Sequence, residues 1–169
     1  MNEPTADFDA RQFRNALGCF PTGVTVITTL GLKREMVGIT ANSFSSVSLD
    51  PPLILFTLGR HAYSLEAFLS AEHFAVNVLR REQRALSGRF AVALGDKWAG
   101  IDYEVWESGC PVLPKALAAF ECGIRNTYDG GDHVIFVGEV QRMRCDPGGQ
   151  PLIFLGGDYG GYARLPEEG

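Results

Sequence analysis

The chain has 169 residues, 46% of them apolar, which suffices for one domain over residues 1–169 that buries roughly 70% of its unfolded surface. A formal net charge of −5, with no Lys/Arg cluster among the aromatics, excludes the basic footprint of a nucleic-acid binder. No run approaches the ~20 apolar residues of a membrane helix, and the polar stretch 1–11 has no secretory pattern, so a cytoplasmic protein with a flexible start over residues 1–10 is expected.

Taken in order, Phe13, Leu17 and Phe20 recur at helical spacing, so Phe8 to Cys19 is predicted as an amphipathic helix that ends before Pro21 and caps the core. A strand is expected at Val24 to Leu30, followed by a polar hairpin through Gly31-Leu32-Lys33-Arg34-Glu35 and a return strand at Met36 to Ile39. Then comes Thr40-Ala41-Asn42-Ser43-Phe44-Ser45-Ser46-Val47-Ser48-Leu49-Asp50-Pro51-Pro52, read as a polar loop between buried strands, the second being Leu53 to Leu58. Its hydroxyls, carboxamide and free backbone N–H groups suit a ligand cradle, although serine-rich runs are also ordinary solvated connections.

Ser64 to Ser70 reads as a short helix with Ser64 as N-cap, and residues 74–79 as a strand in which Phe74, Val76 and Val78 alternate with Ala75, Asn77 and Leu79. Leu86, Phe90 and Leu94 predict a helix over Glu82 to Leu94, whose Arg84 and Arg89 reach either solvent or a phosphate. Leu117 to Thr127 and Val134 to Arg142 make a long hairpin across Asp129-Gly130-Gly131-Asp132. Leu152 to Leu155 is a last strand, and Gly156-Gly157-Asp158-Tyr159-Gly160-Gly161-Tyr162 a glycine-rich tail. Strands outnumber helices and short turns join them, so a mainly β, antiparallel closed sheet with peripheral helices is expected. Cys19, Cys110, Cys122 and Cys145 form no C-x-x-C pair, which leaves no zinc or dithiol motif; they are expected to be buried or neutral thiols, and no metal is expected.

Four blocks in this order resemble the flavin reductase-like family: Phe20-Pro21-Thr22-Gly23-Val24-Thr25-Val26-Ile27-Thr28-Thr29, the Thr40 to Pro52 run, Phe74-Ala75-Val76-Asn77-Val78-Leu79, and Asp129 to Val140. The resemblance implies an FMN-binding split β-barrel of Greek-key type. It also implies a homodimer that passes hydride from NADH or NADPH to FMN or FAD and supplies reduced flavin to a separate monooxygenase. By the same resemblance Thr40, Ala41, Asn42 and Ser43 line the isoalloxazine, Ser46, Val47 and Ser48 close around the ribityl chain or phosphate, and Thr22, Gly23 and Val24 border the pocket.

His133 takes the nicotinamide-side position, where it holds the pyridine nucleotide and no side-chain nucleophile is needed. Asn77 and Arg89 are cofactor candidates with structural alternatives, a satisfied barrel amide and a solvated helix residue. Tyr159 and Tyr162 either stack on a ligand ring or pack at a surface, and Trp98, Trp106 and Phe120 are read as core or interface aromatics. Where the family carries a basic or aromatic stretch, Leu155-Gly156-Gly157-Asp158 stands here, which leaves NADH against NADPH open. No G-x-G-x-x-G fingerprint follows any strand. A flavin sensor or carrier without turnover is the rival from another class, and a split-barrel oxidase acting on a pyridoxine-like phosphate is less suited to so acidic a chain.

Overall fold

The computed structural model describes residues 7–166, so most of the expected flexible start lies outside them. Helix α1 (Ala10–Gly18) opens with a capping box, in which Asp9 accepts from Arg11 and Gln12 N–H while the Gln12 side chain accepts from Asp9 N–H. The short strand β1 (Thr22–Gly23) follows, then β2 (Thr25–Leu30), which turns into β3 (Met36–Ala41). Strand β4 (Ser45–Leu49) pairs with β5 (Pro52–Gly59), α2 spans Leu65–Ser70, and β6 spans His73–Val78. A 3-10 turn (Arg81–Gln83) leads into α3 (Arg84–Ala91). After β7 (Glu104–Val105) and β8 (Pro111–Val112) come the long strands β9 (Ala118–Gly130) and β10 (His133–Cys145), then β11 (Ile153–Leu155) and β12 (Asp158–Gly160).

Seven strands form one antiparallel sheet in the order β3-β2-β6-β9-β10-β5-β4, with β1, β11 and β12 in a small second sheet. No ladder joins β3 to β4, so the sheet is a split barrel and the closed sheet expected from strand count is corrected. The gap is bridged by side chain instead: Ser43 Oγ accepts from Thr57 N–H at 3.0 Å and donates to Thr57 C=O at 3.1 Å.

Strand β2 is covered on both faces, and its threonines are buried with their hydroxyls donating to the carbonyls of Ala41, Pro111 and His73. Ile27 enters a core with Phe56, Phe74 and Phe136, whereas Val24 and Val26 enter a second core with Phe90, Leu113 and Leu152. At the centre of the first, Phe56 stacks on Phe136 at 4.9 Å and meets Phe74 edge-on at 5.0 Å. Gly138 is required there, since a Cβ would sit 2.5 Å from a Phe74 ring carbon. The buried carboxylate of Glu121 is satisfied by Ser108, whose N–H and Oγ both donate to it at 2.9 and 2.6 Å.

Several expectations change. The cradle is not a loop: Thr40 and Ala41 end β3, Ser46, Val47 and Ser48 lie in the edge strand β4 with a bulge between Ser46 and Ser48, and only residues 42–44 connect the two. The α1 helix buries none of its residues, and Phe13, Leu17 and Phe20 stay exposed, so it does not cap the core of this chain. Helix α3 stops at Ala91 because Val92 turns to extended backbone, leaving Leu94 exposed beyond it. The glycine-rich tail contains a strand, β12, which folds back on β11 through Gly156 and Gly157 at φ of 60° and 94°. Cys110 and Cys122 are buried, and burial pushes the Cys122 thiol up to about 12, but Cys19 and Cys145 are exposed. All four are free thiols.

Candidate functional site

Thr40 and Asn42 are the two cradle residues that reach cavities, and they reach different ones. Thr40 borders a cleft of about 290 Å³ between the ends of β3 and β5, the turn before α2, and the C-terminal end of α3; its walls include Leu58, His61, Ser64, Phe90 and Lys97. Asn42 borders a larger cleft of about 590 Å³, shared with Leu17 and Phe20, Thr22, Phe154 and the Gly156-Gly157 turn. Asn42 lies just past the end of β3, at a bend, and the two clefts have no wall residue in common.

Each wall has a local cause. Thr40 Oγ1 donates to Ser87 C=O at 2.6 Å, which locks the end of β3 against α3. Ser64 stands at the N-cap position of α2 as expected, yet its hydroxyl makes no cap bond. Lys97 reaches in from the loop after α3, and Nζ donates to Gly38 C=O at 3.1 Å and to Phe90 C=O at 3.2 Å. Burial lowers its pKa below the ordinary lysine value, while an ammonium has three donors and two are thus used. At the second cleft the Thr22 hydroxyl is buried and has no hydrogen-bond partner among the described residues. A buried unpaired hydroxyl costs about 1–3 kcal/mol, and a polar ring edge placed in that cleft would remove the cost.

Other candidates have internal duties. Asn77 is fully buried, its Nδ2 donating to Val26 C=O at 3.1 Å and its Oδ1 accepting from Leu113 N–H at 2.7 Å, so it is the satisfied barrel amide and not a ligand contact. Val24 is a core residue whose C=O accepts from Leu79 N–H, which corrects its place at the pocket. Gly23 pairs with Ile153, and Ala41 packs against the phenylalanine core. Ser46, Val47 and Ser48 line neither cleft, because their strand runs along the open edge beside β5. Tyr159 is also committed: its hydroxyl is 2.7 Å from Ser87 Oγ, Arg84 lies over its ring at 5.1 Å, and Phe154 meets it at 5.5 Å, which corrects ring stacking on a ligand to packing. Arg89 donates to the carbonyls of Asp96 and Ala99, so it holds the loop that carries Lys97.

His133 opens β10 opposite Gly59 and lines neither cleft. Its Nδ1 is 2.7 Å from Asp132 Oδ1, and that hydrogen bond, with the histidine charge, holds the Asp132 carboxyl below its ordinary value. His61, a wall residue of the Thr40 cleft, also acts electrostatically on the Asp132 carboxylate. His61, Ser64 and Lys97 are wall residues that sequence reasoning did not select. His61 and Ser64 follow a predicted strand at short range and were open to selection; nothing in the local pattern ties Lys97 to Gly38.

The fold is an antiparallel split barrel with two polar-edged clefts, the Thr22 hydroxyl at one and the Lys97 ammonium at the other. A family model described as flavin reductase like domain matches residues 17–163. The FMN reductase (NADH) SmoA of Agrobacterium fabrum is 46% identical over 156 residues, covering 92% of this chain and 88% of that protein. The flavin-dependent monooxygenase reductase subunit HsaB of Mycobacterium tuberculosis is 40% identical over 159 residues, covering 93% and 84%. Among solved structures, the NADH:FAD oxidoreductase SgcE6 of Streptomyces globisporus superposes with a TM-score of 0.86 at 38% identity, over 100% of both chains. The chain belongs to the flavin reductase-like family.

The unpaired hydroxyl gives a direct test of the second cleft. Thr22→Val is expected to leave stability unchanged or raised in urea denaturation, while the affinity for flavin or pyridine nucleotide falls about tenfold, the effect of one hydrogen bond of ~1–1.5 kcal/mol. Unchanged titrations of both ligands would remove Thr22 from the site.

Proposed function

We propose that this chain is an NAD(P)H-dependent flavin reductase that passes reduced flavin to a separate monooxygenase. The observation that carries the reading is that the end of β3 and the connection after it border two separate clefts, Thr40 one and Asn42 the other, so that each of two flat ligands has polar anchors of its own. A bound flavin supplies the hydride-accepting ring. Thr40, His61, Ser64 and Lys97 would hold its side chain and phosphate, with Asn42 at the ring edge, where the small side chains leave room. The Gly156-Gly157 turn, with no Cβ to obstruct approach, and Phe154 would border the nicotinamide. Position and exclusion of water do the catalytic work assigned to the protein, since the transfer requires no nucleophile.

The relatives named as reductases of FMN or FAD with NADH, and as a subunit serving a flavin-dependent monooxygenase, support this reading. NADH is the favoured donor, although nothing in the wall chemistry rejects NADPH. No helix among the described residues is long and apolar enough to cross a membrane.

The same reading includes a homodimer. Phe13 and Leu17 on α1 and Phe20 just after it expose apolar side chains, and Leu17 and Phe20 are also walls of the Asn42 cleft, so a second copy seated there would shelter the site from water. Sedimentation at micromolar concentration is expected to give twice the monomer mass, and Leu17→Glu a single chain; a wild-type monomer rejects the dimer.

Turnover tests the function. Mixed anaerobically with excess NADH, the protein is expected to bleach many equivalents of added flavin per subunit. Reduction that stops at one equivalent, with flavin retained through gel filtration, would instead identify a sensor or carrier.

His133 is assigned to the nucleotide on the family resemblance alone, since it lines neither the Asn42 cleft proposed for nicotinamide nor the Thr40 cleft proposed for flavin. His133→Ala is expected to slow reduction at limiting NADH about tenfold in stopped flow, the loss of one ~1–1.5 kcal/mol hydrogen bond, with flavin affinity unchanged. A variant that loses flavin but keeps its NADH dependence would place His133 on the flavin side.

A further inference from the structure

The Thr40 cleft does not end at Lys97. On the far side lies another chamber of about 420 Å³, and the two meet at Tyr63, Ser64, Ala93 and Lys97, which are walls of both. Wall chemistry changes in order from one to the other. The inner chamber is apolar at Ile39, Leu58 and Phe90, the junction carries the Ser64 hydroxyl and the Lys97 ammonium, and the outer chamber carries Trp98 with the carboxylates of Glu35, Glu66 and Asp96.

The loop forming the outer wall is built. Asp96 Oδ1 accepts from the N–H groups of Trp98 and Ala99 at 3.1 and 3.0 Å, Trp98 Nε1 donates to Met36 C=O at 3.0 Å, and Phe90 meets the indole edge-on at 4.9 Å. Carboxylates repel phosphate but accept from sugar hydroxyls and an exocyclic amine, and an indole offers a large aromatic surface to a purine. An occupant of the outer chamber is thus an uncharged nucleoside whose phosphates stop at Lys97.

We propose that the outer chamber is an adenosine subsite, with Lys97 at the phosphate junction, and that it makes this chain prefer FAD over FMN. The proposal rests on the flavin reductase reading and names which flavin that site takes. FMN would fill the inner chamber and end at Lys97; FAD would fill both.

Titration of the whole protein with riboflavin, FMN and FAD, followed by flavin fluorescence, separates these outcomes. The wild type is expected to bind FAD at least about tenfold more tightly than FMN, and AMP to displace FAD while leaving bound riboflavin in place. Ala67→Phe, on the α2 face of the outer chamber, is expected to abolish the FAD preference with FMN affinity unchanged. Lys97→Met is expected to weaken FMN and FAD together and spare riboflavin. Equal wild-type affinity for FMN and FAD, or a FAD preference that survives Ala67→Phe, would overturn the adenosine subsite while leaving flavin reduction intact. Failure to bind any flavin would overturn both readings.

Discussion

The structure depends most on how the edge strand β3 is covered. An uncovered edge presents free carbonyls and N–H groups to any other strand. Here three alternate residues are tied to α3 and the loop after it: Met36 C=O accepts from the Trp98 indole, Gly38 C=O from the Lys97 ammonium, and Thr40 donates to Ser87 C=O. Gly38 permits the approach, because a Cβ there would lie 2.6 Å from the Phe90 ring and 3.3 Å from Trp98. These three hydrogen bonds thus cover the edge strand, hold α3 and its loop against it beside the second core around Phe90, and set Lys97 between the two chambers it borders.

The rest of the barrel answers to two-sided burial of β2. Its alternating residues feed the phenylalanine core and the Phe90 core, so neither layer can be loosened without exposing the other. Asn77 belongs to the same design: it uses its amide to accept the Leu113 N–H and supply a donor to Val26, bringing the segment after β8 onto the sheet without leaving a buried polar group unpaired. Arg144, with Glu104 at 2.8 Å and Trp106 at 5.6 Å, does similar work at the exposed side, and hydrogen bonding to Arg144 holds the Glu104 carboxyl below its ordinary value.

A contrast within the Thr22 to Ser48 region is informative about function. Residues of one chemical type are sorted by geometry into those that face cavities and those that bond their neighbours. Thr40, Asn42 and Thr22 reach the clefts, Ser43 stitches the open seam to Thr57, and Ser46 lies on the outer edge. The Thr22 hydroxyl is buried without a partner among the described residues, at a residue that borders the Asn42 cleft.

Local sequence determined the elements and the family. The helical spacing of Phe13, Leu17 and Phe20, the alternation through Phe74 to Leu79 and the glycine turn before His133 are short-range patterns, and each element formed within a few residues of its expected bounds. The four blocks that carry the family resemblance are likewise contiguous in the chain, which is why they were legible together. Which polar residues face a ligand was decided only by tertiary structure. Asn77 and Thr40 are both small polar residues at strand ends, but partners 36 and 47 residues away consume one inside the sheet and set the other on a cleft wall. Lys97 is a lysine in a glycine-flanked loop by sequence, and a cation between two chambers only because Gly38 and Phe90 bring their carbonyls together in space.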